Sequence, residues 1–535
     1  MRMGKSPAVS LYDTTLRDGT QREGLSLSSH DKIRIAERLD AIGVAFIEAG
    51  FPGSNPKDAE VFARARDLEW QHAALAAFGA TRRAGTAACD DPQLAALVAC
   101  GAPVCTIFGK SWDRHVTAVL RTTYDENLRM IEESVAFLRA AGRRVVYDAE
   151  HFFDGFAADS VYAVETVHAA VRGGAECVVL CDTNGGTLPW RVGEVVTAVR
   201  KALALASTVQ IGIHAHDDVD CAVANTLSAV AAGASHVQCT VNGYGERCGN
   251  ASLCTVAASL ELKLGMRCLP EGGLQELSEL SRFVAEVANL PLDHHMPFVG
   301  RSAFAHKGGV HAAAVRRDPG SYEHVDPAAV GNVSRVVVSE LSGRANVLAK
   351  AEEHGVHVVA GDDASVVEHI KECEARGFSF EAAEASVALL LRRRDPAYKP
   401  PFTLLDYRVM SGCRRGTEPF AEAVVKIEIG DRVLHTAAEG NGPVSALDAA
   451  LRKALEPMFP ELAGVHLADY KVRVLDGTQC GTGATTRVLV DSRDSERAWS
   501  TVGASSNIVE ASLAALLDSY EHALLGLDRS HEAAA

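Results

Sequence analysis

The chain has 535 residues, 47% hydrophobic and 23% charged, which is ordinary for globular protein but too long for one core, so about two or three domains are expected. A formal net charge of -16 with no basic run argues against nucleic acid or an anionic membrane surface as a partner. No run of roughly 18 apolar residues is present to span a membrane, no apolar signal-peptide core follows Met1, and the 13 cysteines, none in a C-x-x-C pair, read as reduced thiols of a cytoplasmic protein.

From about residue 8 to 270, short apolar runs alternate with amphipathic helical stretches. The strand candidates are 9–15, 45–50, 72–80, 104–109, 145–150, 177–182, 209–214 and 236–243, with helical segments such as 31–42 and 124–141 between them. Eight such units in succession predict an α/β fold, a TIM (β/α)8 barrel over 1–270. An open doubly wound sheet is the alternative, but no dinucleotide fingerprint follows the first strand. A barrel collects function at the carboxyl ends of its strands. Those ends carry Arg17 and Asp18, Glu48, Thr81, Lys110, Glu150, Thr183, His214 and His216, with Asn250 in the loop after the last strand.

His214 and His216 lie two apart on a strand, so both imidazoles face one side. Strand eight closes the ring between strands one and seven, which lets Asp18 meet the histidine pair over the barrel mouth. Asn250 could add an oxygen. Two imidazoles and two oxygens without a thiolate suit a catalytic ion with open positions, and do not choose among Mn, Mg, Zn and Co. Arg17 either pairs structurally with Asp18 or Glu48, or turns its N–H fork toward what the metal binds and steadies a developing alkoxide. Glu150 is a functional carboxylate or a solvated loop charge. Thr183 offers its hydroxyl to a substrate carboxylate or to its own turn. Gly243, Gly245 and Gly249 have the wrong spacing for a phosphate fingerprint and read as a tight loop that aims Asn250.

Residues 271–400 read as a mainly helical linker with a polar loop at 297–311 holding His306 and His311, and Tyr398-Lys-Pro-Pro401 marks its end. Residues 401–535 contain a repeat. Asp406-Tyr407-Arg408-Val409 recurs as Asp469-Tyr470-Lys471-Val472, and the stretch from Thr436 to Leu451 aligns with that from Thr501 to Leu516. Each copy reads strand, strand, strand, helix, which predicts a pseudo-symmetric α+β domain. The Gly/Ser/Asn-rich turn opening each helix either holds a ligand carboxylate or belongs to a plain dimerisation module.

With these residues assembled, the chain resembles the metal-dependent TIM-barrel acyltransferases and lyases that carry a D-T-x-L-R-D-G signature. Within them it is similar to the condensing branch of 2-isopropylmalate, homocitrate and citramalate synthases. The likeness rests on Asp13-Thr-Thr-Leu-Arg-Asp-Gly19, His214-Ala-His216, the Asn242 to Asn250 loop, Ala305-His-x-x-Gly-x-His311 and, in a regulatory domain, Gly503-Ala-Ser-Ser-Asn-Ile-Val-Glu-Ala511. The resemblance implies a divalent metal on Asp18, His214, His216 and Asn250. It implies Arg17 at the ketone oxygen, with Gln21, Glu150 and Thr183 around an α-keto acid. It implies His311 and Tyr322 acting on the acetyl group of acetyl-CoA, a homodimer, and an amino-acid effector such as isoleucine. The strand-four sequence from Phe108 to His115, Thr20 after the first motif, and Gly53-Ser-Asn-Pro-Lys-Asp58 look like the citramalate branch, whose keto acid is pyruvate. Lys110 and Trp112 would favour a small methyl ketone if they point inward. Asp148 departs from the Tyr that some citramalate synthases carry there. The alternatives are the same condensation with another keto acid, a lyase of the hydroxymethylglutaryl-CoA type, or a non-enzymatic metal-binding scaffold whose repeat domain senses a ligand. Intact Arg17, Glu150 and His311 argue against the scaffold. The lyases lack a long C-terminal domain and use a Gly-Cys-Pro cysteine that this chain does not have.

Overall fold

A computed structural model describes residues 8–203, 209–339, 342–353, 362–413, 420–475, 480–495 and 497–532. Strands β1 (Ser10–Asp13), β2 (Phe46–Gly50), β3 (Ala74–Ala80), β4 (Val104–Lys110), β5 (Arg144–Glu150), β6 (Cys177–Asp182), β7 (Gln210–Ala215) and β8 (His236–Cys239) each pair in parallel with the next. β8 returns to β1 in the register Ser10↔His236 through Asp13↔Cys239, so the ring closes as a TIM barrel. Helices Ser29–Ile42 and Tyr124–Ala140 fall where their periodicity places them. Tyr12, Phe46, Val104, Val146 and Val179 fill the barrel interior, while alternate residues such as Leu11, Ile47, Ile107 and Val237 pack in the core that includes the surrounding helices. Covering on both faces is why the strands are apolar almost throughout.

Two strands stop short of their expected ends, for local reasons. After β1 the Asp13 carboxylate accepts the Thr15 N–H (3.0 Å) and hydroxyl (2.7 Å), which turns the chain out of the ladder. After β8 the chain enters a tight turn at Val241–Gly243 with Asn242 at φ 59°, a left-handed backbone incompatible with a strand.

The chain divides into two compact units, Met1–Phe304 with Val325–Val333, and Ala305–His324 with Ser334–Ala535. The division does not fall at 270 or 400. Helix Leu277–Val287 belongs to the barrel unit, where the Ser281 hydroxyl and carbonyl both bond the Asn242 amide (2.6 and 2.9 Å). The second unit opens with helix Gly309–Arg317 and a parallel pair, β9 (Ala305–His306) and β10 (Arg335–Val336), too short for a period to reveal.

The repeat is two antiparallel three-stranded sheets, each followed by a helix. The first is β11 (Thr403–Gly412), β12 (Phe420–Ile429) and β13 (Arg432–Gly440) with helix Pro443–Leu455. The second is β14 (His466–Val474), β15 (Thr486–Arg493) and β16 (Ala498–Ser505) with helix Ile508–Glu532. The copies share detail as well as order. Each first strand shifts register at the same place, Leu404/Asp406 and Leu467/Asp469. Each third strand bonds its helix through an equivalent threonine, Thr436 to the Ala450 carbonyl (2.8 Å) and Thr501 to the Ala515 carbonyl (2.7 Å). On β12, Ala421, Ala423, Val425 and Ile427 alternate toward Leu447 and Leu451 of the helix. Among the described residues no helix is long and apolar enough to cross a membrane.

Candidate active site

The first motif folds so that each residue has a separate task. Leu16 is fully buried in the core. Thr14 donates to Glu48 Oε2 (2.6 Å) and accepts the Asp18 N–H (3.3 Å). Glu48, completely buried in the middle of β2, also accepts the Tyr12 hydroxyl (2.6 Å) and Arg17 Nε (2.5 Å). Arg17 is thereby locked. Its other nitrogen reaches Asp18 Oδ1 (3.0 Å), and its guanidinium carbon lies 3.7 Å from the centre of the Phe78 ring.

Asp18 Oδ2 lies 3.3 Å from His214 Nε2 and 3.8 Å from His216 Nε2, and the two Nε2 atoms are 3.2 Å apart. All three side chains are buried, and they are the described cluster of acidic and histidine ligand atoms close enough to share one ion. The spatial meeting that the enzyme reading needs is therefore present. Burial works to raise the Asp18 pKa, but Arg17, then His214 and His216, outweigh it and hold the carboxyl below the usual carboxylate range. Burial opposes protonation of His214, yet Asp18 outweighs it and raises that pKa, whereas burial and the neighbouring His214 push His216 down to about 4. A buried anion between two imidazole nitrogens that face each other is a donor set suited to a divalent cation.

Asn250 lies against the cluster. Its Nδ2 lies 2.8 Å from Asp18 Oδ2 and 3.4 Å from His214 Nε2, and its buried Oδ1 has no hydrogen-bond partner. Turning the amide would offer that oxygen to an ion. The glycines explain the placement. A Cβ at Gly245 would stand 1.8 Å from Asn250 Oδ1, and one at Gly249, which has φ 103°, would stand 2.1 Å from the Gly243 carbonyl oxygen. The loop is wound onto Asn250 and tolerates no side chain at either point. Asn250 also forms an isolated antiparallel bridge with His216.

The remaining candidates lie at neighbouring strand ends or in the second unit. Lys110 and Glu150 are opposite each other in the β4–β5 register and form an ion pair. Lys110 Nζ lies 5.3 Å from the Phe108 ring centre, and Trp112 stacks on His115 at 5.0 Å. Thr183 Oγ1 accepts the His151 N–H (2.8 Å), which is the turn-stabilising role, while its own proton can still be donated. Gln21 is exposed at the end of the short Gly19–Gln21 turn. His311 and Tyr322 belong to the second unit, where their rings lie 4.4 Å apart at 32° and both are exposed. In the turn opening the second repeat helix, Asn507 Oδ1 accepts the Val509 N–H (2.9 Å) and Ser505 Oγ the Asn507 N–H (3.0 Å), so these two donors of the turn are already engaged.

Sequence reading passed over Gln238 and gave Asp148 no task. Gln238 Nε2 donates to Asp148 Oδ1 (2.8 Å), and Gln238 Oε1 accepts from His214 Nδ1 (2.8 Å). Burial, with the nearby Glu48 charge, raises the Asp148 pKa to about 7. Period-two counting held the signal. Gln238 shares a face with His236, and Asp148 with Val146, so both are polar residues aimed into a barrel interior.

A closed parallel barrel whose mouth gathers an arginine, a carboxylate and a histidine pair defines a TIM-barrel protein with a candidate metal centre. Residues 8–284 match the HMGL-like family, residues 298–377 the homocitrate synthase post-HMGL domain-like family, and residues 381–524 the LeuA allosteric (dimerisation) domain. The chain is 51% identical to an (R)-citramalate synthase of Geobacter sulfurreducens, covering 96% of this chain and 97% of that one. It is 51% identical to an (R)-citramalate synthase of Streptomyces coelicolor, covering 96% of each. A 2-isopropylmalate synthase of Methanocaldococcus jannaschii is more distant, 31% identical over 95% of this chain and 93% of that one. The chain belongs to the citramalate synthase branch of the HMGL-like family.

Proposed function

We propose that the protein condenses acetyl-CoA with pyruvate to give citramalate and CoA. The observation that carries this reading is full-length identity near one half to curated (R)-citramalate synthases, together with the Asp18, His214 and His216 cluster beside a locked Arg17. Asp18, His214, His216 and Asn250 would hold a divalent ion, which supplies Lewis-acid polarisation of the ketone when bound. Arg17, fixed by Glu48, keeps a permanent positive charge at the ketone oxygen and stabilises the alkoxide formed there. Thr183 and Gln21 orient the keto-acid carboxylate, and Glu150, paired with Lys110, borders the same substrate.

A base near His311, with Tyr322 beside it, takes a proton from the acetyl methyl. The resulting enolate carbon attacks the pyruvate carbonyl carbon, whose π electrons move to oxygen and take up a proton. Water then cleaves the thioester, leaving the citramalate carboxylate and free CoA. The C-terminal repeat serves dimerisation and regulation, with a branched-chain amino acid such as isoleucine as feedback effector. Activity unchanged by saturating isoleucine or leucine would remove that part.

The decisive assay measures thiol release from acetyl-CoA with pyruvate, 2-ketoisovalerate, 2-ketobutyrate and 2-ketoglutarate, with and without a chelator. Pyruvate should be preferred and the chelator should stop the reaction. A preference for 2-ketoisovalerate would move the protein to isopropylmalate synthesis.

A further inference from the structure

The reaction above makes no use of the buried polar chain behind His214. His214 and Gln238 are direct partners across the β7–β8 ladder, and Asp148 reaches Gln238 from β5 through the barrel interior. Gln238 is 1% exposed and Asp148 4%, so water does not compete for these bonds. Their polarity runs one way. The orientation of a glutamine amide is set by its partners. The Asp148 carboxylate oxygen accepts, so the NH2 end of Gln238 turns to Asp148 and the carbonyl end turns to His214. A carbonyl can only accept, so His214 Nδ1 carries a hydrogen. That directs His214 to use Nε2, the atom facing Asp18 and His216. His216 has no such fixture, because its Nδ1 is buried without a hydrogen-bond partner.

We infer that Asp148 and Gln238 are a positioning pair that sets the tautomer and ring orientation of His214 as an Nε2 ligand for a divalent ion, an inference that rests on the metal-site reading of Asp18, His214 and His216. It gives Asp148, the residue at which this chain departs from some citramalate synthases, a task that acts through Gln238 on His214.

The test uses the full chain, stripped of metal and titrated with Co(II) against a chromophoric chelator, with thermal unfolding recorded for every variant. Gln238→Leu and Gln238→Met remove the acceptor and should weaken Co(II) binding about 10–100-fold while changing its visible absorption band. Gln238→Glu keeps an acceptor and should bind close to the unaltered protein. Asp148→Leu frees the amide to turn over and should weaken binding in the same direction, and Asp148→Asn, which still offers an oxygen to Gln238 Nε2, should restore it. Undiminished Co(II) affinity in folded Gln238→Met, or equal weakening by Asp148→Leu and Asp148→Asn, overturns the positioning role. Should His214→Ala bind Co(II) as tightly as the unaltered protein, the metal-site reading itself fails, and the two failures are told apart.

Discussion

The barrel mouth and the His311–Tyr322 pair place candidate catalytic groups in opposite physical settings. At the mouth, Arg17, Asp18 and Glu48 are interlocked by hydrogen bonds of 2.5 to 3.0 Å, and Glu48 is wholly buried. In the second unit, His311 and Tyr322 stand exposed, in contact through their ring faces. Buried charges held this way are preorganised, and their removal strikes folding and function together. Exposed groups are positioned by little around them, and their removal strikes function alone. The contrast separates residues whose mutants need a stability control from those whose mutants report chemistry directly.

Arg17→Ala tests the first setting and has the largest expected effect. It leaves Glu48 buried without its cation, at a cost of about 3–5 kcal/mol. It also removes a donor at the developing alkoxide, for a fall in kcat of about 10²–10³-fold. Metal content should persist, because the Asp18, His214 and His216 cluster does not include Arg17. Elemental analysis, denaturant midpoint and thiol release on one preparation check all three, and full turnover would contradict the proposed role. His311→Ala tests the second setting. Turnover should fall about 10²-fold with the melting temperature unchanged, as expected for loss of a general acid or base from an exposed position. A large drop in stability there would break the contrast.

Legibility in the sequence followed the same physical division. All eight barrel strands could be read because each carries its own apolar run between turn signals, and the Asp18, His214 and His216 cluster could be read because its residues lie at the ends of strands whose order the barrel dictates. The lock on Arg17 was half visible. Glu48 stood in the second strand, but its hold on Tyr12 and Thr14 depends on a pairing of β1 with β2 that periodicity does not convey. Gln238 escaped because one polar residue in an apolar strand reads as noise until the residue across the barrel is known. β9 and β10 escaped because two residues carry no period. The repeat was visible down to its threonines, since copies of one unit place equal residues at equal contacts.

The barrel interior should also leave a mark on acid stability. His236 on β8 is fully buried, with both ring nitrogens lacking hydrogen-bond partners, and burial, then Arg144, lowers its pKa to about 3. In the unfolded chain an ordinary histidine takes up a proton near pH 6.5. Between about pH 6.5 and 3 the unfolded state therefore binds the extra proton, and stability falls as pH falls through that window, while above it the His236 contribution is complete. At pH 5 the loss amounts to about 2 kcal/mol. His236→Leu should flatten this part of the curve, seen as a smaller gap between urea midpoints at pH 7.5 and pH 5. An unchanged gap would mean that His236 gains a partner or water in solution.

The smallest predicted effect sharpens a comparison inside the second unit. Thr436 and Thr501 make the same hydrogen bond to a helix carbonyl, in equivalent places of the two repeat copies, but Thr501 is fully buried and Thr436 half-buried. Replacing either by valine keeps the shape and removes the donor, so each should cost about 0.5–1.5 kcal/mol. The order is set by water. Both acceptor carbonyls belong to fully buried residues, but the half-buried Thr436 hydroxyl lies where solvent competes with its bond, so less is lost there than at fully buried Thr501. Thr501→Val should therefore lower the denaturant midpoint more than Thr436→Val, and the double variant should come close to the sum if the two helices are independent. Equal effects would show that burial does not distinguish the copies, and a sum well short of additivity would show that the two sheets unfold as one coupled body.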